Sequence, residues 1–377
     1  MNQQAEALKK KLGELPEVPH AAILAYERKQ DAMIQEIMEK AIGGQSEGIY
    51  GGFSPADIRE IHQEHVKSMV TVFKLNYFTL LLHIIPWAYR VSRYRQVPDH
   101  YYIQMYKSWI TAVDHHIEPH LAKPIKDVYQ WLIDQHERFL EISKDAYFFP
   151  FEISESWQAI QERFLAALLK GDHKTCIHLS DESVYSKSDL EEFYLQVIKP
   201  SMYKIGISWE KGEISVAHEH LATSIISRVM ANLYPRFILL DEPKKQKAVV
   251  TASPNEFHEI GARMVADLLE KDGWDVDYLG ANVPKQDIID LLMQKRPLIL
   301  GISVAMPYNL DKALSLIHEI KSDQAICDTR ILLGGKIFLE DPNIWEQTGA
   351  DEFAINAREA VQKANKLLKG ASKNGTL

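Results

Sequence analysis

The chain has 377 residues, 46% of them apolar and 25% charged, as expected of an ordinary globular protein with two or three domains. A net charge of -9 argues against a general nucleic-acid binder, and the two isolated cysteines, Cys176 and Cys327, offer neither a disulfide framework nor a CxxC metal site. The apolar stretch 77–87 contains His83 and Pro86 and is too short to span a bilayer, so a cytoplasmic location without membrane contact is the default expectation.

The first 150 residues read as all-α. Ile23, Leu24, Tyr26, Met33, Ile34, Ile37 and Met38 recur at helical spacing over 20–42, and Gly43-Gly44 ends the pattern. Ser54-Pro55 has the form of an N-cap followed by proline at the first helical position, opening a helix through Val72. Helices over 73–95, 98–118 and 123–143 follow, punctuated by prolines. Trp87, Tyr89, Arg90, Arg93, Tyr94, Arg95, His100, Tyr101, Tyr102, Tyr106 and Trp109 crowd into one stretch. Two readings stay open. Aromatic walls with guanidinium groups suit a flat ligand bearing carboxylates, because arginine pairs bidentately and rings stack. Alternatively the tyrosines are core and the arginines a solvated face. Haem on His83 or His100 is a weaker variant, and no cysteine precedes Cys176 to attach a linear tetrapyrrole.

Residues 151–243 have the size of a four-helix bundle, with Phe164, Leu165, Leu168 and Leu169 at helical spacing, Gly171-Asp172 as a stop, and helices over 187–208 and 216–237. Trp209 is expected in the loop before the last helix, with Ser215 as its N-cap and His218, Glu219 and His220 in its first turns. His218 and His220 are two apart and do not share a helix face, so they do not form a chelating pair.

After the charged linker Lys244–Lys247 the pattern changes. Apolar runs at 248–252, 276–279, 298–304, 331–333 and 352–355 alternate with helices, which predicts a doubly wound parallel sheet of Rossmann-like type. The ends of its first, third and fourth strands carry Glu256-x-His258-x-x-Gly261, Ser303 and Gly334-Gly335. Such loops converge on one crevice at the carboxyl edge, and a carboxylate beside an imidazole is the arrangement that fixes a metal-binding tautomer. Neither a GxGxxG nor a Walker sequence is present, so a dinucleotide or nucleoside triphosphate is not favoured.

The Glu256-x-His258-x-x-Gly261, Ser303-Val304-Ala305 and Gly334-Gly335 set resembles the cobalamin-binding domain of the methionine synthase type, with a helical bundle directly upstream. The likeness implies that His258 is the lower axial ligand of cobalt and that Ser303, Gly334 and Gly335 line a channel for the displaced nucleotide tail, with Gly261 letting the cofactor approach the backbone closely. Glu256 stands where many members of that family have aspartate. Trp209 and, nine residues on, Glu219-His220 resemble the motif of CarH/LitR-type cobalamin photoreceptors, implying that these three face the upper ligand. Their MerR-type DNA-binding domain is not matched by the first 150 residues, and Glu210 replaces the histidine that follows their tryptophan. The N-terminal part is similar, more loosely, to globin-like sensor domains without haem, so the architecture over 1–150, 151–243 and 244–377 resembles the photocobilins. That likeness implies a non-covalent biliverdin held by Arg90, Arg93, Arg95, Asp99 and His100.

The leading expectation is therefore a light-responsive cobalamin photoreceptor, not an enzyme. Photolysis of adenosylcobalamin would drive a conformational or oligomeric change, biliverdin would serve as second chromophore, and a homo-oligomer would signal through a protein partner without binding DNA. The alternative is a corrinoid methyl carrier of a methyltransferase system, since both use the same His258 module and the cofactor supplies the hard chemistry. A mutase is disfavoured for want of a substrate barrel, and a structural adaptor leaves the three converging loops unexplained.

Overall fold

The computed structural model describes residues 3–42, 54–144, 151–239 and 245–373. The chain divides into two compact units, Met1–Tyr147 with Glu210–Gly212, and Phe148–Trp209 with Glu213–Leu377.

The described part of the first unit is all-α: α1 (Gln3–Leu12), α2 (His20–Ile42), α3 (Pro55–Leu75), α4 (Leu81–Tyr94), α5 (Tyr101–His116), α6 (Pro119–Asp134) and α7 (His136–Ser143). Local chemistry sets several boundaries. At the start of α3, Asp57 N–H donates to Ser54 Oγ (3.2 Å) and Ser54 N–H donates to Asp57 Oδ2 (2.7 Å), a reciprocal cap with Pro55 at the first position. The helix stops at Asn76, whose φ of 47° lies in the left-handed region, so α4 starts at Leu81 and not at 73. The helix expected over 123–143 is two helices. Gln135 leaves helical geometry between them, and its side chain accepts from Arg138 Nη1 at 2.6 Å. Pro86 and Pro124 lie inside α4 and α6 near their starts and do not terminate them. The aromatic stretch fills this unit's core. Tyr89 stacks on Tyr102 with centroids 4.0 Å apart, Trp109 lies parallel to Tyr129, and the hydroxyls of Tyr26 and Tyr129 meet at 2.6 Å. The observed elements support an all-α unit and do not by themselves carry the finer globin likeness.

The second unit joins a helical bundle to a sheet. The bundle comprises α8 (Glu155–Leu169), α9 (His173–Ser183), α10 (Lys187–Glu192) running through a π-helical stretch (Phe193–Ile198) into α11 (Lys199–Glu210), and α12 (Val216–Phe237). Pro200 accounts for the π-helical widening. It has no N–H to offer the carbonyl four residues back, and its ring would clash there in a tight α-turn. Phe164, Phe193, Val197, Ile226 and Val229 are fully buried at the bundle's centre, each contributing about 1.5–3 kcal/mol by leaving water.

The sheet contains β1 (Lys247–Ala252), β2 (Asp275–Gly280), β3 (Ile299–Ser303), β4 (Arg330–Gly334) and β5 (Glu352–Phe353), all parallel, in the order β2-β1-β3-β4-β5. The connecting helices are α13 (Ile260–Lys271), α14 (Lys285–Lys295), α15 (Leu310–Ser322) and the short α16 (Lys336–Glu340), and α17 (Ala357–Lys373) follows β5. These strands are the five expected from the apolar runs. Their order reverses direction between β1 and β3, the switch point at which open α/β sheets bind ligands. The bundle and sheet share one core: Ile260, Met264 and Leu268 of α13 and Ala357 of α17 pack with the bundle's apolar residues. Across the same seam Tyr194 donates to Asp267 Oδ2 at 2.7 Å.

Among the described residues, no helix is long and apolar enough to cross a membrane.

Candidate functional site

The register places Ala252, Ser303 and Gly334 side by side at the carboxyl ends of β1, β3 and β4. The loop after β1 turns through Asn255, whose φ is 65°. Glu256 thereby points inward and is 1% exposed, while Phe257 points out at 70%. His258, two residues beyond Glu256, returns to the same side, and its side chain is 58% exposed.

Glu256 is the hub. Oε1 accepts from His258 Nδ1 at 2.5 Å and from the His258 backbone amide at 3.2 Å. Oε2 accepts from the amides of Ala305 (3.0 Å) and Met306 (2.9 Å) and from Asn309 Nδ2 (3.0 Å). Burial alone would raise this carboxyl group's pKa, but the hydrogen bond and charge of His258, then Asn309 and the Met306 amide, outweigh it and hold the group at about 2. The surrounding chain disfavours the imidazolium of His258. Glu256, by hydrogen bond and by charge, and then Glu219 overcome this and raise its pKa, while Lys336 opposes them. Because an ionised carboxylate only accepts, Nδ1 carries a proton and Nε2 of the neutral ring is left as the lone-pair nitrogen.

Asn309 was not singled out from sequence, since it lies in the short turn Pro307–Asn309 after β3 and belongs to no motif. It is 3% exposed, and its carbonyl accepts from Ser253 Oγ at 3.1 Å, so it ties the β1 loop to the β3 loop.

The glycines are small for different reasons. A Cβ on Gly261 would stand 3.8 Å from Ser303 Oγ, so Gly261 in the first turn of α13 faces that hydroxyl across open contact distance. A Cβ on Gly334 would come 3.3 Å from the Ala354 carbonyl. At Gly335, φ is 111° and a Cβ would fall 2.1 Å from the Val304 carbonyl oxygen, so only glycine fits between β3 and β4.

On the bundle side, Trp209 lies in the last turn of α11 and not in a loop, because the helix runs on through Glu210. Ser215 occupies the N-cap position of α12, yet its hydroxyl pairs with His218 Nδ1 (2.8 Å) and caps no backbone amide. Glu219 is held at both oxygens, by Thr223 Oγ1 and by His220 Nδ1, each at 2.9 Å, and His220 is 73% exposed. Val216 and Leu221 are exposed apolar residues of the same helix start. His258 and Glu219 are electrostatically coupled, which brings those two sequence candidates together.

Of the five residues expected to hold a bilin, the three arginines have separate partners. Arg93 donates to Ser143 Oγ at 2.8 Å, Arg95 donates to the Val91 carbonyl at 3.0 Å, and Arg90 lies 3.6 Å from Glu210, which groups with this unit. Asp99 and His100 are exposed on the turn before α5. The neighbouring rings pack on one another. Tyr89, Tyr101, Tyr102, Tyr106 and Trp109 are buried in the core, while the arginines are engaged by nearby polar groups.

Residues 246–364 match a family described as "B12 binding domain", and residues 160–234 match a second family of the same description. A dimethylamine corrinoid protein of Methanosarcina acetivorans is 26% identical over 179 residues, covering 47% of this chain and 83% of that protein. A corrinoid protein of Desulfitobacterium hafniense is 23% identical over 206 residues, 54% of this chain and 94% of the relative. The solved monomethylamine corrinoid protein of Methanosarcina barkeri is 21% identical, with a TM-score of 0.49, over 56% of this chain and 99% of that one. The matches support a cobalamin-binding protein. They also correct the leading expectation. The relatives are named for a corrinoid and for methylated amines, which overturns the light-responsive photoreceptor and the assignment as a sensor that is not an enzyme, and favours the methyl-carrier alternative. Corrinoid binding stands, without an assigned adenosyl group or biliverdin.

Proposed function

We propose that this chain is a corrinoid-carrying component of a methyl-transfer system, with His258 as the lower axial ligand of cobalt. The observation that carries this reading is the His258–Glu256 pair, a half-exposed imidazole whose Nδ1 is fixed by a fully hydrogen-bonded, buried carboxylate, which leaves Nε2 as the nitrogen to face a metal. The donor set fits a corrinoid cobalt, which takes one imidazole nitrogen from the protein, and the small residues Gly261, Ser303, Gly334 and Gly335 fit a channel beside it. When bound, the corrinoid supplies a metal centre that can accept and release a methyl group.

In this reading the chain's own residues orient and enclose. Glu256 holds the Nδ1 proton, so His258 presents Nε2, and Asn309 with the Ala305 and Met306 amides keeps the carboxylate from rotating. The sheet-bearing domain would hold the corrinoid on the side of His258. Trp209, Glu219 and His220 of the bundle would face the bound corrinoid, and Phe257, Val216 and Leu221 offer apolar surface that a corrin would cover.

Titration with hydroxocobalamin tests the ligand assignment. His258→Ala is expected to weaken binding by at least about tenfold, the scale on which metal-site partners act, and to shift the visible spectrum. Unchanged affinity and spectrum would sink the axial role. For the carrier role, protein loaded with methylcobalamin should pass its methyl group to a thiol once a corrinoid-dependent methyltransferase is added. Failure to do so with a partner active on another corrinoid protein would refute it.

A further inference from the structure

Glu210 follows Trp209 and closes α11, yet with Lys211 and Gly212 it groups with the first, all-α unit. A carboxylate at this position meets the negative end of the helix dipole, and Glu210 is also buried, at 7% exposure. Two side chains of α4 offset both costs. Trp87 Nε1 donates to Glu210 Oε1 at 3.0 Å, and Arg90 Nε lies 3.6 Å from Oε2. Trp87 and Arg90 are three residues apart, so they share one face of α4 and reach the two oxygens of a single carboxylate. The indole has one N–H to give, and this bond uses it.

The backbone on the other side of Trp209 is tied down as well. The Glu213 amide donates to the Ser208 carbonyl at 2.9 Å, and Ser208 Oγ donates to Glu213 Oε2 at 2.8 Å. Gly212 closes this turn with a φ of 69°. Trp209, itself half-buried, therefore stands between a hydrogen-bonded turn and a clamped carboxylate. The clamp is particular to this chain's added unit, because α4 lies outside the two segments, 160–234 and 246–364, that match B12-binding families.

We propose that Glu210 is a positioning residue. Held by Trp87 and Arg90, it fixes the last turn of α11 and with it the Trp209 ring, so the all-α unit governs what the bound corrinoid meets on its Trp209 side. The last clause deepens the corrinoid reading and rests on it; the clamp itself does not.

Fluorine magnetic resonance of the full chain, labelled with fluorotryptophan and free of cofactor, tests the clamp. The Trp209 line is identified by its loss in Trp209→Ala. Trp87→Phe, which keeps a ring but no N–H, and Glu210→Leu are expected to shift or broaden that line. Glu210→Gln keeps an oxygen for Trp87 and should stay closer to wild type. An unmoved Trp209 line in Trp87→Phe overturns the proposal even if Glu210→Leu fails to fold. Chain loaded with hydroxocobalamin then tests the consequence, with azide replacing the upper ligand and visible absorbance following the exchange. Losing one charge-assisted hydrogen bond should raise the population of displaced Trp209, and with it the exchange rate, by about tenfold in Trp87→Phe. In a Trp209→Ala background the same substitution should change the rate by less than about twofold, because its effect runs through the ring. Equal effects in both backgrounds would overturn the positioning role. A chain whose fluorine line moves as expected but whose cobalt takes no nitrogen from His258 would overturn the corrinoid reading and leave the clamp standing.

Discussion

At the scale of single residues, the site rests on one buried carboxylate and one glycine. Glu256 is legible in the sequence because it stands two residues before a histidine on a βα loop. The reach of its second oxygen is not, since the partners Ala305, Met306 and Asn309 come from a loop about fifty residues on. Glutamate has one methylene more than aspartate. Here the longer arm bridges the two loops, one oxygen on His258 and the other on the β3 loop. Gly335 is the reverse case. The sequence marks a glycine pair, but only the structure separates its members. Gly334 would bring a Cβ near the Ala354 carbonyl at a tolerable 3.3 Å, whereas Gly335 combines a left-handed φ with a direct clash. Gly335→Ala is therefore expected to destabilise the sheet by about 2–4 kcal/mol, combining backbone strain with a forced shift of Val304. Urea denaturation followed by the fluorescence of the buried Trp274 checks this. An unchanged midpoint would mean that the β3–β4 gap is looser than described.

At the scale of elements, strands were easier to place than helix ends. A parallel strand buried on both faces is a short continuous apolar run, and β1, β3 and β4 are of that kind. Helix boundaries depend on side chains that choose between partners. Ser215 takes His218 over a backbone amide, and Gln135 splits one expected helix into two. The seam between bundle and sheet was not legible, because Asp267 sits on a helix face that periodicity marks as core. Asp267 is 5% exposed. Burial raises its pKa to about 6, against the lowering effects of Tyr194 and Arg263 and with a further rise from Glu270. The folded state thus holds its proton more tightly than the unfolded chain does. The stability this adds is fully present below about pH 4 and is lost as pH rises through about 6. The loss amounts to about 3 kcal/mol. Asp267→Asn, which can still accept from Tyr194, should be more stable than wild type at pH 7 and match it near pH 4. The difference between the two urea-midpoint curves across that interval is the measurement, and a constant difference would refute the assignment.

At the scale of the whole molecule, the two units differ in how far their sequence speaks. The sheet-bearing unit carries chemistry at fixed spacing, so its corrinoid character follows from three loops and is supported by family matches over 160–234 and 246–364. The helical unit carries composition only. Tyrosine, tryptophan and arginine crowded together suit a ligand or a core equally well, and periodicity does not separate the two. The likeness of Trp209 and Glu219-His220 to a photoreceptor motif pointed to light sensing, yet three residues of one short stretch do not fix the chemistry of an upper ligand. The central claim is that a protein imidazole, from His258, replaces the nucleotide base below cobalt. It is tested most directly by electron paramagnetic resonance of the reduced, cobalt(II) form, using protein labelled with heavy nitrogen and unlabelled cobalamin. The account predicts that the nitrogen splitting of each cobalt line changes from a triplet in unlabelled protein to a doublet in labelled protein, and that His258→Ala abolishes the doublet. A triplet that persists in labelled protein would show that the cofactor's own base remains bound, and would contradict it.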